Sequence, residues 1–149
     1  MSRCFLDSTA FVKLFVQEPG TQALISLLES IEDNAKLISA ITPIEVTAAL
    51  IKRERAGDIR PEDSELARAS LRQEATRIVQ QPLNPAVLEA ARQLLEQHDL
   101  RAQEAIQLAS AVVAREMFHG LPITFLSTNP RLLHAARQLH FETADPSVA

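Results

Sequence analysis

Tryptophan and tyrosine are absent from the 149 residues, and the single cysteine, Cys4, has no partner for an internal disulfide. Any stacking of nucleic-acid bases is therefore left to phenylalanine, and a small scaffold stapled by disulfides is excluded. Cys4 reads as a small buried apolar group in a reducing compartment. No run approaches the ~18 apolar residues of a membrane span, and Asp7 and Lys13 interrupt any signal-peptide core. A soluble, cytoplasmic protein is expected. Positive charge is also in short supply: 15 Lys and Arg against 19 Asp and Glu give a net charge of −4. That excludes a strongly basic nucleic-acid coat, but not a local basic patch beside an acidic site. Four histidines (His98, His119, His134, His140) show no ligand spacing and no cysteine pair accompanies them, which argues against zinc.

What is present is ordinary globular material: 46% hydrophobic and 23% charged residues, enough to build a core without staples. The absence of repeats, low-complexity tracts and linkers makes residues 1–149 one domain. Cys4-Phe5-Leu6 is an apolar run without alternation, the form of a strand covered on both faces. Leu37-Ile38-Ser39-Ala40, Ile123-Thr124-Phe125-Leu126 and Phe141-Glu142-Thr143 read as further short strands, and Arg77-Ile78-Val79-Gln80 as an extended link. Helical patterns separate them. One opens at Ser8 or Thr9 and ends before Pro19-Gly20. Another starts at Thr21, with Leu24, Leu27, Leu28 and Ile31 at helical spacing. Others run from Thr42-Pro43 to a stop at Gly57, from Pro61 to about Ala75 with Leu66 on its apolar side, and from Pro85 with Leu88, Ala91, Leu94 and Leu95. The last two run from about Arg101 to Phe118 and from Asn129-Pro130 onward. The fold class is α/β: a small parallel sheet of about four to five short strands sandwiched by helices.

Four positions share one setting at the strand ends or helix starts: Asp7, Glu45, Glu104 and Asn129. Each has a local structural use. Asp7 can cap the next helix, Thr42-Pro43-Ile44-Glu45 matches a capping box, Glu104 suits a helix start, and Asn129 before Pro130 is a good N-cap. The functional reading is that the strand ends of an open parallel sheet are where ligands bind. Glu104 lies in line with Leu108, Ala111 and Val112, so it faces inward and needs a partner. Three carboxylates gathered there without an Arg or Lys to neutralise them would suit Mg²⁺ or Mn²⁺ and phosphodiester hydrolysis. Spacing alone leaves unrelated caps and a metal site both open.

The motifs Phe5-Leu6-Asp7-Ser8-Thr9-Ala10-Phe11-Val12-Lys13-Leu14-Phe15 with Glu18-Pro19-Gly20, Ile41-Thr42-Pro43-Ile44-Glu45-Val46, Leu100 through Ala111, and Phe125 through Leu133 occur in that order. In them the chain resembles PIN-domain ribonucleases, most closely VapC-type toxins of toxin–antitoxin pairs. The resemblance implies a PIN-like fold and a Mg²⁺- or Mn²⁺-dependent endoribonuclease that hydrolyses RNA with a metal-activated water. It also implies a homodimer, held inactive by a cognate antitoxin. Asp7 and Glu45 fall on the family's first two acids. Glu104 stands where the family usually has Asp, and Asn129 where it usually has a fourth Asp.

By this reading Asp7, Glu45 and Glu104 are metal ligands and Asn129 is a further catalytic-site residue, with Ser8, Thr42, Ser127 and Thr128 as auxiliary polar groups. The missing fourth charge predicts that a second metal is weak or absent until phosphate binds. Lys13, Lys52, Arg53 and Arg55 are candidates for RNA phosphates, while Phe11 and Phe15 read better as packing or dimer-interface residues. The two departures also support an alternative, a degenerate PIN scaffold that acts by binding protein rather than by cutting.

Overall fold

Strands of three or four residues, all parallel, run through the centre of the computed structural model, which describes residues 2–148. They are β1 (Cys4–Leu6), β2 (Lys36–Ser39), β3 (Val79–Gln81), β4 (Thr124–Leu126) and β5 (Glu142–Ala144), in the order β3-β2-β1-β4-β5. The helices are α1 (Ser8–Phe11), continued by a 3₁₀ turn over Val12–Leu14, then α2 (Thr21–Glu29), α3 (Thr42–Arg55), α4 (Pro61–Arg77), α5 (Pro85–Gln97), α6 (Ala102–Met117) and α7 (Pro130–Gln138). Proline opens α3, α4, α5 and α7 in the first turn, where its fixed φ suits a helix and its missing N–H costs nothing.

Both faces of the sheet are covered, which accounts for the unalternating apolar strands. Phe5, Leu37, Ile123 and Phe125 point to one side, packing with Val87, Leu94, Leu108 and Leu132 of α5, α6 and α7. Cys4, Leu6, Ile38 and Leu126 point to the other, with Phe11, Leu24, Leu50 and Leu71 of α1 to α4. The Phe5 and Phe125 rings stack at 5.5 Å between centroids, and Phe141 tilts against Phe125 at 6.0 Å. The chain builds outward from β1 through β2 to β3, then crosses to the other side for β4 and β5. The reversal falls at β1 and β4, and a crevice opens beyond the carboxyl ends of strands at such a point.

Several expectations shift in detail. The extended link at Arg77–Gln80 becomes the edge strand β3, and α2 stops at Glu29, although Ile31 is still buried. Leu66, Leu88 and Leu95 are exposed: on α4 the inward row is Ser64, Ala67, Leu71 and Ala75, and on α5 it is Val87, Ala91 and Leu94. Phe11 is fully buried, with Phe15 edge-on to it at 5.2 Å. Gly20 has φ of +93°, and a Cβ there would lie 2.5 Å from the carbonyl oxygen of Pro146, so only glycine lets the C-terminal segment pack against the start of α2. Among the described residues no helix is long and apolar enough to cross a membrane.

Candidate active site

Asp7 leaves β1 and immediately caps α1, so its capping and its place at the sheet edge are the same fact. It is 1% exposed. Oδ1 accepts from the Ala10 backbone N–H (3.0 Å) and from the Thr9 hydroxyl (2.6 Å), and Oδ2 accepts from the Ser127 hydroxyl (2.5 Å). Those donors fill both lone pairs of Oδ1 and leave one on Oδ2. The same two hydroxyls accept from the loop after β4: Thr9 Oγ1 from the Thr128 N–H (2.9 Å) and Ser127 Oγ from the Asn129 N–H (3.0 Å). Burial pushes the Asp7 carboxyl up to about 6 from its ordinary 3.8; the hydrogen bonds from Ser127, Thr9 and Ala10 act the other way, and Glu45 adds repulsion.

Glu45 lies in the first turn of α3. The capping box expected of Thr42 and Glu45 is not formed, because the N-cap is Ile41 in helical geometry and makes no side-chain cap. Glu45 instead turns to α6, where the Gln107 amide donates to its Oε1 (2.6 Å) and to the buried Thr42 hydroxyl (2.9 Å). Burial raises the Glu45 carboxyl, against hydrogen bonds from Gln107 and Ser8. Gln107 is 2% exposed and its own carbonyl oxygen is buried without a partner. Among the described residues neither Asp7 nor Glu45 is paired with a Lys or Arg.

Glu104 differs. Its Oε1 accepts from the Arg101 backbone N–H (2.7 Å), and its Oε2 from the Asn129 side-chain amide and from the Arg131 guanidinium (3.2 Å). Burial would raise its carboxyl, yet the Arg101 N–H, the Asn129 amide and the Arg131 charge outweigh burial and hold it below the usual carboxylate range. The sequence-based condition that no Arg or Lys neutralises the acids therefore fails at Glu104. Asn129 uses its oxygen to cap α7, accepting from the Arg131 and Leu132 N–H groups (3.0 and 3.4 Å).

The four positions line one cavity of about 160 Å³ together with Ser8, Thr9, Gln103, Gln107 and Leu132. Within the described residues no three His, Cys, Asp or Glu side chains are close enough to ligate a single ion together. A second cavity of about 270 Å³ shares Ser8, Thr9 and Glu45 and extends to Ala49, Glu18, Arg53 and Thr128. A third, of about 610 Å³, shares Glu18, Arg53 and Thr128 and reaches Lys13, Pro19 and Ser147. The three make a groove leading away from the acids.

The basic candidates separate along it. Glu45, Ala49 and Arg53 fall at i, i+4 and i+8 on α3, so Arg53 lies about 12 Å along the helix from Glu45, with its guanidinium on Glu18. Lys13 is 5% exposed and donates to Glu18 (3.1 Å) and to the Pro19 carbonyl (2.8 Å), so it braces the groove wall. Lys52 and Arg55 are exposed and line none of these cavities.

Thr9, Gln107 and Arg131 were not singled out from the sequence. Gln107 carried a signal, since it stands three residues after an inward-facing acid on one helix. Thr9 and Arg131 carried little. A hydroxyl two residues after a strand-end acid is common, and a cation in the first turn of a helix is disfavoured.

A model of the PIN domain matches residues 4–137. Among solved structures, FitAcB from Neisseria gonorrhoeae is similar over 98% of this chain and 99% of its own, at 16% identity and a TM-score of 0.70. A toxin–antitoxin complex from Klebsiella pneumoniae is similar over 96% and 97%, at 17% identity and a TM-score of 0.67. VapBC2 from Rickettsia felis, bound to a DNA fragment from its promoter, is similar over 95% and 96%, at 14% identity and a TM-score of 0.63. No curated protein matches the sequence.

Proposed function

We propose, from the premise that this chain belongs to the PIN-domain family, that it is a divalent-metal-dependent endoribonuclease serving as the toxin of a toxin–antitoxin pair. The observation that carries the reading is the pair Asp7 and Glu45. Two desolvated carboxylates line one cavity at the ends of adjacent strands, and neither has a cationic partner among the described residues.

The donor set fits a hard cation. Asp7 keeps a lone pair on Oδ2, Glu45 is held only by neutral donors, and Mg²⁺ is commonly bound by one or two carboxylates with water and phosphate completing its shell. Asp7 and Glu45 would hold the ion, which when bound polarises a phosphodiester and acidifies water. The chain's own residues do the rest. Thr9 and Ser127 lock the Asp7 carboxylate against the loop after β4, and Gln107 fixes the rotamer of Glu45. The groove then lays an RNA backbone from these acids toward Arg53, which leaves Glu18 for phosphate.

Purified, partner-free protein incubated with unstructured RNA is expected to cut it with Mg²⁺ or Mn²⁺ and to stop when the metal is chelated. Absence of cleavage with either ion would instead favour the inert, protein-binding scaffold, a reading motivated by the Glu104–Arg131 pair. Arg53→Gln is expected to weaken RNA binding about tenfold and to flatten the plot of log affinity against log salt by about 0.7, the value of one phosphate contact on a single strand. A filter-binding salt series reads both, and an unchanged slope would remove Arg53 from the RNA track. The antitoxin is proposed as partner because one similar fold was solved as a toxin–antitoxin complex and because of the family resemblance, from which assembly as a homodimer is also proposed.

A further inference from the structure

Resting on the reading of Asp7 and Glu45 as a metal site, we infer that Arg131 replaces a second divalent cation. Its ion pair with Glu104 leaves a site that loads one Mg²⁺ or Mn²⁺ and presents a fixed guanidinium to the substrate phosphate.

The hydrogen bonds around Glu104 and Asn129 carry this. Both oxygens of Glu104 are engaged, Oε1 by a backbone N–H and Oε2 by an amide and a guanidinium. The Asn129 amide is spent at both ends, its nitrogen on Glu104 and its oxygen on the first turn of α7. Glu104 Oε2 and the Asn129 amide are thereby filled; Oε1 keeps one lone pair, but Glu104, unlike Asp7 and Glu45, carries a cationic partner that repels a metal ion. The charges agree: Asp7, Glu45 and Glu104 bring three negative charges and Arg131 one positive, a remainder that a single divalent ion neutralises.

Arg131 also sits where a cation is otherwise unwelcome. The N-terminal turn of α7 presents the positive end of the helix dipole, which disfavours an arginine unless an acid compensates. Glu104, reaching across from α6, is that acid. The arginine side chain remains 45% exposed. Its contact to Glu104 runs through one terminal nitrogen, so most of its five N–H donors stay available for a phosphate oxygen.

The test is calorimetric titration of RNA-free protein with Mn²⁺, repeated on Arg131→Gln and Arg131→Lys. One ion per chain is expected for the wild type and for Arg131→Lys, which keeps the positive charge. Two are expected for Arg131→Gln, where Glu104 regains an uncompensated charge. With Mn²⁺ held at one equivalent per chain, affinity for inorganic phosphate should fall about tenfold in Arg131→Gln and recover partly in Arg131→Lys. Two ions on the wild type, or only one on Arg131→Gln, would overturn the inference. No ion on the wild type would overturn it together with the metal site. A protein that cuts RNA but loads two ions loses this inference and keeps the nuclease reading; one that shows the one-to-two change but cuts nothing keeps the inference and loses the nuclease.

Discussion

Replacing Asp7 by asparagine is expected to reduce RNA cleavage by about a thousandfold or more, roughly 4 kcal/mol of transition-state stabilisation, while making the metal-free protein more stable. The two effects share a cause. In the fold the Asp7 carboxyl is held at about 6, above its ordinary 3.8, mainly because burial penalises its charge. The folded protein therefore binds the proton more tightly than the unfolded chain does. The neutral acid's contribution to stability is complete below about pH 4 and is lost as pH rises through about 6. At 1.36 kcal/mol for each tenfold change, the ionised group costs on the order of 3 kcal/mol by pH 7. Asparagine keeps the shape without the charge. Denaturant unfolding in chelator should show wild type and Asp7→Asn nearly equal at pH 4 and diverging in favour of the mutant toward pH 7. Added Mg²⁺ should stabilise only the wild type, by mass action on its folded state. A mutant that cuts within tenfold of the wild type, or a gap that does not grow with pH, would remove Asp7 from the role argued for it.

Phe125→Ala is expected to cost about 4 kcal/mol of folding stability, within the range for deleting a buried phenylalanine. Phe125 is fully buried, stacked on Phe5 and touched by Phe141, so the cavity left behind lies between sheet and helices with no exposed side chain to fill it. For a domain of this length about 2 to 4 °C of melting temperature goes with each kcal/mol, so a drop of about 8–16 °C should accompany the shift in denaturant midpoint. The slope of the transition should stay the same. β4 ends one residue before Ser127, so residual folded protein should also lose rate. A loss under about 1 kcal/mol would mean the aromatic stack is not the centre of this core.

The central strands were legible because β1, β2 and β4 are buried on both faces and spell apolar runs. β3 was not, because an edge strand needs backbone pairing more than apolar side chains, and Val79 and Gln80 are exposed. Asp7 was legible because a strand of buried residues stops on it. Glu104 and Asn129 were legible as positions, but their mutual bond was not. It depends on the start of α6 and the end of β4 meeting at one crevice, which strand order decides and local sequence does not. The same holds for Arg131, whose side chain acquires a use only once α7 starts beside α6. Gln107 was legible in principle, since it stands three residues after Glu104 and beside it on one helix face.

The bond from Ser127 to Asp7 joins residues 120 apart in the chain, and β4 pairs directly with β1. A ribosome adding about 5 to 20 residues each second thus makes the strand that bears Asp7 several seconds or more before the strand that completes its surroundings. Until then the first carboxylate has no partner from the far end of the molecule, and a nascent chain cut short before β4 carries the acids without the site. The order of the sheet therefore acts as a timer, confining the assembled cleft to chains already extended past β4.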